Sequence, residues 1–100
     1  MYERKVLLFF IRVHILHHSV VDNGIYGLEM IKELESHGYK ISPGTLYPIL
    51  HDLEKNKLLI VKEKNVDGKI RKIYHPTKKG KETLKKLKKF IIELSNEVIN

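Results

Sequence analysis

No cysteine occurs in this chain. That excludes a disulfide framework and a thiolate metal site, and it suits a reducing cytoplasm. Tryptophan is absent too, so no indole is present to stack on a planar ligand. A glycine-rich phosphate loop, a nucleophile elbow and an HExxH pair are all missing, and nothing fixes a histidine and a carboxylate as a catalytic pair. The expectation is therefore not an enzyme. Long apolar runs are missing as well. Val6 to Ile11 follows Arg4-Lys5 but is interrupted by Arg12 and His14, which is far too short to span a bilayer. No small-residue cleavage site follows, so the stretch does not read as a signal peptide. No membrane partner is expected.

What is present is one domain's worth of sequence. One hundred residues can bury a core, but a partner subunit would help. The formal net charge is +7 and it is lopsided: residues 1–54 carry net −2 and residues 55–100 net +9. A basic half beside a near-neutral half suggests a surface that faces a polyanion.

Ser42 to Glu54 organises the chain. Ser42 suits a helix N-cap, and Pro43 sits where a missing N–H costs nothing. Leu46, Ile49, Leu50 and Leu53 fall at i, i+3, i+4 and i+7, one stripe of a helix. The opposite face carries Gly44, Pro48, His51 and Lys55, flanked by Thr45, Tyr47 and Asp52. Tyr47 is expected to be exposed. Pro48 should disturb the first turns, because it removes a hydrogen bond and presses on the carbonyl of Gly44.

Upstream, Glu3 to about Val20 reads as a helix with almost no polar face, which must be covered on more than one side. Asp22-Asn23-Gly24 is a turn. A second helix from about Tyr26 to Ser36 places Leu28, Ile31 and Leu34 inward, and Gly38 ends it. This helix, a short connection and the Ser42 helix make a helix-turn-helix. Downstream, Leu58 to Lys64 and Lys69 to His75 are β-branched strands joined by Asn65-Val66-Asp67-Gly68, a hairpin turn. Thr77 caps a last helix reaching about Val98, on which Leu84, Leu87, Ile91, Leu94 and Val98 are spaced as an a/d seam. The expected fold is mainly α with a small β-hairpin wing (α+β). It is a single winged helix-turn-helix domain over residues 1–100, in the order helix, helix, helix, strand, strand, helix. Helix 1 (about 3–20) and helix 4 (about 77–98) should also form a homodimer, with Phe9, Phe10 and the seam in the interface.

His14, His17 and His18 lie within the first helix, and His14 and His18 are one turn apart. Zinc would want more ligands, and no acidic residue or cysteine is placed nearby in sequence. The expectation is half-buried or dimer-facing histidines and no bound metal or cofactor.

Three stretches, in order, resemble the PadR-type transcriptional regulators. Ser42-Pro43-Gly44-Thr45-Leu46-Tyr47-Pro48-Ile49-Leu50 is similar to the family's recognition-helix motif. Ile25-Tyr26-Gly27 resembles its Tyr-Gly lead into the preceding helix. Arg71-Lys72-Ile73-Tyr74-His75-Pro76-Thr77-Lys78-Lys79-Gly80 resembles its wing strand and the Thr-x-x-Gly that opens the last helix, departing at Ile73 and Pro76. The resemblance implies a cytoplasmic, sequence-specific regulator, a repressor that binds a pseudo-palindromic operator in double-stranded DNA as a homodimer. Thr45, Tyr47, Pro48 and His51, with Lys55 on the same face, would meet the DNA. Lys69, Arg71 and Lys72 would hold phosphate or the minor groove. Some family members bind flat aromatic effectors at the dimer centre, a place Phe9, Phe10 and Phe90 could line here. The alternative from another class is a helix-mediated dimerisation or protein-interaction module without specific DNA binding, whose basic face only keeps it soluble.

Overall fold

Turn chemistry sets the element boundaries. The computed structural model describes residues 2–99. Helix α1 spans Tyr2–Val21 and stops at Asn23, which takes a positive φ of 52°. Strand β1, Ile25–Tyr26, follows, then α2, Gly27–Ser36. The end of α2 is a Schellman motif: the Tyr39 N–H donates to the Leu34 carbonyl at 2.9 Å and the Gly38 N–H to Glu35 at 3.0 Å. That closure needs a left-handed residue, supplied by Gly38 at φ 93°. Helix α3 is Pro43–Lys55, β2 is Leu59–Val66, β3 is Lys69–Pro76 and α4 is Lys78–Ile99. Val66 pairs with Lys69, so the hairpin loop is Asp67-Gly68 alone, with φ of 51° and 80°. Positive φ at both positions is the primed turn that matches strand twist.

Two differences from the expected order stand out. The sheet has three antiparallel strands, β1-β3-β2, because Ile25 and Tyr26 pair with Tyr74 and Ile73. A two-residue strand carries no periodicity, so the sequence offered no signal for it, yet it supplies the support that a lone hairpin lacks. In α2 the inward stripe is Gly27, Met30 and Leu34, with Ile31 half-buried, whereas Leu28 is 56% exposed and is corrected to the outer face.

The core gathers one stripe from every helix. Ile11, Ile15 and Leu16 of α1 meet Met30 and Leu34 of α2, all four stripe residues of α3, Leu59 and Tyr74 of the wing, and Leu84 of α4. Each large apolar side chain so buried contributes about 1.5–3 kcal/mol. Helix α3 is thus anchored from behind by Leu46, Ile49, Leu50 and Leu53 and runs unbroken through Pro48. Ser42 stands at the N-cap position in extended backbone, but its side chain makes no capping bond. Its carbonyl accepts from the N–H groups of Thr45 and Leu46, each at 3.0 Å. At α4 the cap is complete: Thr77 Oγ1 accepts from the Gly80 N–H at 2.9 Å and donates to the Lys57 carbonyl at 2.6 Å, tying the helix start to the wing root.

Helix α1 is covered on one side only. Ile11, Ile15, Leu16 and Ser19 are buried, while Val6, Leu7, Phe9 and Phe10 face outward. The seam of α4 divides likewise. Leu84 is buried and Leu87 half-buried, but Ile91, Leu94 and Val98 are exposed beyond the domain.

Candidate nucleic-acid interface

The burial of four α3 residues leaves the opposite face free, and the 100° spacing decides what stands there. Gly44, Pro48, His51 and Lys55 are all exposed. Two of them carry little or no side chain beyond the backbone cylinder, so this face is flat enough to lie close to another surface. Thr45 and Asp52 lie on the flank that α1 approaches: Arg4 Nη2 donates to Thr45 Oγ1 at 3.3 Å, and Arg12 Nε meets Asp52 Oδ2 at 3.4 Å. Arg4 gave no sign in sequence, since nothing local marks a partner 41 residues away.

Tyr47 lies on the other flank and is not free. It is half-buried and packs against the core. A Cβ built at Gly27 would fall 2.7 Å from Tyr47 Cζ and closer still to its hydroxyl. The tyrosine ring therefore fills the space that Gly27 leaves, and it fixes the start of α2 to the middle of α3. The expectation of an exposed Tyr47 is corrected: the wheel placed it at the edge of the stripe, and the missing side chain of Gly27 drew it inward.

The wing carries Lys62, Lys64, Lys69 and Lys72 exposed along its strands. Arg71 differs from them. Its Nη2 donates to both carboxylate oxygens of Glu29, at 2.7 and 3.0 Å, and its guanidinium lies 4.2 Å from the centre of the Tyr26 ring. Partial burial pushes the Glu29 carboxyl upward, but the Arg71 hydrogen bonds, a backbone bond and the Arg71 and Lys32 charges outweigh it and hold its pKa below the ordinary carboxylate value. Arg71 is thus ion-paired and stacked, unlike the exposed wing lysines. Thr45, Tyr47 and Arg71 are the partly covered members of the expected set. Pro48, His51, Lys55, Lys69 and Lys72 are the open ones.

A groove of about 300 Å³ lies between α1 and α4, walled by Phe10, Val13, Tyr39, Leu84 and Ile91 with His14 and His17 at its edge. Phe10 lines it. Phe9 and Phe90 do not: Phe9 touches Phe10 edge-on from outside, and Phe90 is exposed on α4.

The histidines meet partners that sequence spacing could not show. His37, at the end of α2, stacks on His14 with ring centres 4.7 Å apart. Glu33 Oε1 lies 3.3 Å from His18 Nε2 and 3.2 Å from His37 Nε2. The premise that no acidic residue stands near the α1 histidines fails twice: Asp22, four residues after His18, lies 3.6 Å from its Nδ1, and Glu33 approaches from α2. Burial, joined by His37, His18 and His17, holds the His14 imidazole below its ordinary pKa, against an opposing pull from Glu33.

Comparison with known proteins agrees with this geometry. The profile of the "Transcriptional regulator PadR-like family" matches residues 15–86. The transcriptional regulator Rv3488 of Mycobacterium tuberculosis is 44% identical over 89 residues, covering 89% of this chain and 82% of that protein. A Streptococcus transcriptional regulator superposes with a TM-score of 0.83 at 28% identity, covering 93% of this chain and 92% of that one. The PadR-like transcriptional regulator of Bacillus cereus does so with a TM-score of 0.77 at 33% identity, covering 97% and 91%. No described helix is long and apolar enough to cross a membrane. A profile match over most of the chain and a relative 44% identical make this a transcriptional regulator rather than an enzyme: the chain belongs to the PadR-like family.

Proposed function

We propose that this chain acts in the cytoplasm as a homodimeric repressor. In this reading α3 enters the major groove of a pseudo-palindromic operator, and the wing lysines rest on phosphate. The observation that carries it is the free, flat Gly44/Pro48/His51/Lys55 face of a helix anchored by four buried residues, beside a lysine-bearing wing. Helix faces of this kind supply base contacts, while scattered lysines supply salt-dependent positioning. The exposed apolar surfaces of α1 and α4 would pair with those of a second copy. The groove beside Phe10 and Tyr39 is apolar and within the size range of small-molecule sites, so a small aromatic effector there would bias the angle between the two copies.

Selection of bound sequences from a random DNA pool, followed by affinity measurements across salt, tests this reading. Two half-sites centred about one helical turn apart, or a multiple of it, are expected. Lys69→Ala and Lys72→Ala should each flatten the slope of log affinity against log salt by about 0.9. Arg71→Ala should change it less, because Glu29 already holds that guanidinium, and Glu29→Gln should steepen it. No salt-dependent duplex binding would leave only an interaction module.

Tyr47 has a separate expectation. Because its ring fills the space over Gly27, Tyr47→Ala should lower both the melting temperature and operator affinity. Tyr47→Phe keeps the ring and should preserve the fold. A Tyr47→Ala protein as stable as wild type would remove the argument that Tyr47 positions α3.

A further inference from the structure

Four of the six histidines, His14, His17, His18 and His37, stand together where α1 crosses the end of α2. His14 and His18 are one turn apart on the same side of α1, and their rings lie nearly parallel with centres 6.3 Å apart. The Schellman closure at Gly38 turns the chain just after His37 and leaves that ring against both, 4.7 Å from His14 and 5.8 Å from His18. One ligating nitrogen from each of His14, His18 and His37 lies within 4.8 Å of the other two. Glu33, one turn before His37, puts a single carboxylate oxygen within 3.3 Å of the Nε2 atoms of both His18 and His37.

Three imidazoles and one carboxylate converging from two helices are a ligand set. In a tetrahedral zinc site with bonds of about 2.0–2.1 Å, neighbouring ligand atoms stand about 3.4 Å apart. The Glu33 oxygen already stands at that spacing from His18 and His37, at 3.3 and 3.2 Å, and the three histidine nitrogens lie within 4.8 Å of one another. The donors also select the ion. Imidazole nitrogen suits zinc, cobalt, nickel and copper, whereas calcium and magnesium take oxygen. An outer partner is present: Asp22 Oδ2 lies 3.6 Å from His18 Nδ1, on the side of the ring away from Glu33. A carboxylate that closes to hydrogen-bond distance there would orient a ligating histidine and raise its basicity.

From this geometry we infer that His14, His18, His37 and Glu33 bind one divalent transition-metal ion of the zinc type, clamping α1 to the last turn of α2. The site is independent of the DNA-binding reading. Its consequence for the fold is local. The segment after His37 leads through Tyr39 to Ile41 into α3, and the Tyr39 ring packs 5.1 Å from His14. An ion there stiffens the connection inside the helix-turn-helix and one edge of the α1–α4 groove.

The test uses the full chain, freed of metal by chelator and desalted, and titrated with cobalt(II) as a coloured probe for zinc. One cobalt per chain is expected, with the visible absorption of a four-coordinate site, displacement of the colour by zinc, and a higher melting temperature with zinc bound. His37→Ala and His14→Ala should each abolish the stoichiometric site. His37 is exposed at the end of its helix, so its variant keeps the fold readable if His14→Ala does not. Asp22→Asn should weaken affinity about 10–100-fold. His17→Ala and His51→Ala should retain the site. Absence of saturable binding at micromolar metal would overturn the inference. So would binding that survives in the His14→Ala/His37→Ala double variant, since the ion would then sit elsewhere.

Discussion

Gly80→Ala is expected to destabilise the domain by about 1–3 kcal/mol, and Gly80→Val by more. The reason is a backbone contact. A Cβ at Gly80 would lie 3.1 Å from the Leu58 carbonyl carbon and closer still to its oxygen. That oxygen cannot move aside cheaply, because the Thr77 N–H donates to it at 3.1 Å and the neighbouring Lys57 carbonyl accepts from the Thr77 hydroxyl. The first turn of α4 and the root of the wing are thus locked together at the one place where no side chain fits. For a domain of this size a loss of 1 kcal/mol shifts the melting temperature by about 4–8 °C, which thermal unfolding by circular dichroism resolves. Gly44→Ala provides the contrast. Only Ser42 Oγ, at 3.6 Å, would approach a Cβ there, and the site is exposed and helical. Alanine should leave stability unchanged or raise it by up to about 1 kcal/mol. A Gly80→Ala protein that melts with wild type would show that α4 and the wing are not joined this closely.

Ile91→Glu is expected to convert a dimer into a folded monomer. The position decides the clarity of the test. Leu84 is 4% exposed and belongs to the domain's own core, so a charge there would unfold the chain. Ile91 is 40% exposed at the wall of the α1–α4 groove and Val98 71% exposed, and neither belongs to the buried core. A second copy would bury them, and burying an unpaired carboxylate costs several kcal/mol. Light scattering at micromolar concentration should report twice the chain mass for wild type and one chain mass for Ile91→Glu, with the same melting curve shape for the domain. A wild-type monomer that stays folded would sink the dimer and with it the twofold operator.

Most of the architecture was legible in the chain because it is written locally. The period of Leu46, Ile49, Leu50 and Leu53 names a buried face, and Asp67-Gly68 names a two-residue turn. Gly38 and Thr77 mark a helix end and a helix start through chemistry confined to a few neighbouring residues. The PadR-like motif added which helix is expected to face DNA. What sequence periodicity cannot contain is the identity of whatever a face meets. Leu28 fits a helical period and faces solvent, because Gly27 and Met30 already occupy the inward side. Tyr47 leaves the exposed face of α3 because a glycine 20 positions earlier makes room for its ring. Arg71 is claimed by Glu29, 42 residues away, and the seam of α4 is split between core and open surface by where the domain ends. His37 and Glu33 join His14 and His18 only because α2 folds back across α1. By itself the sequence determined the four helices, the hairpin, most of their inward faces and the family. The tertiary structure alone decided which charges remain free, which aromatic is structural and where the histidines converge, because those depend on distances between residues that are far apart along the chain.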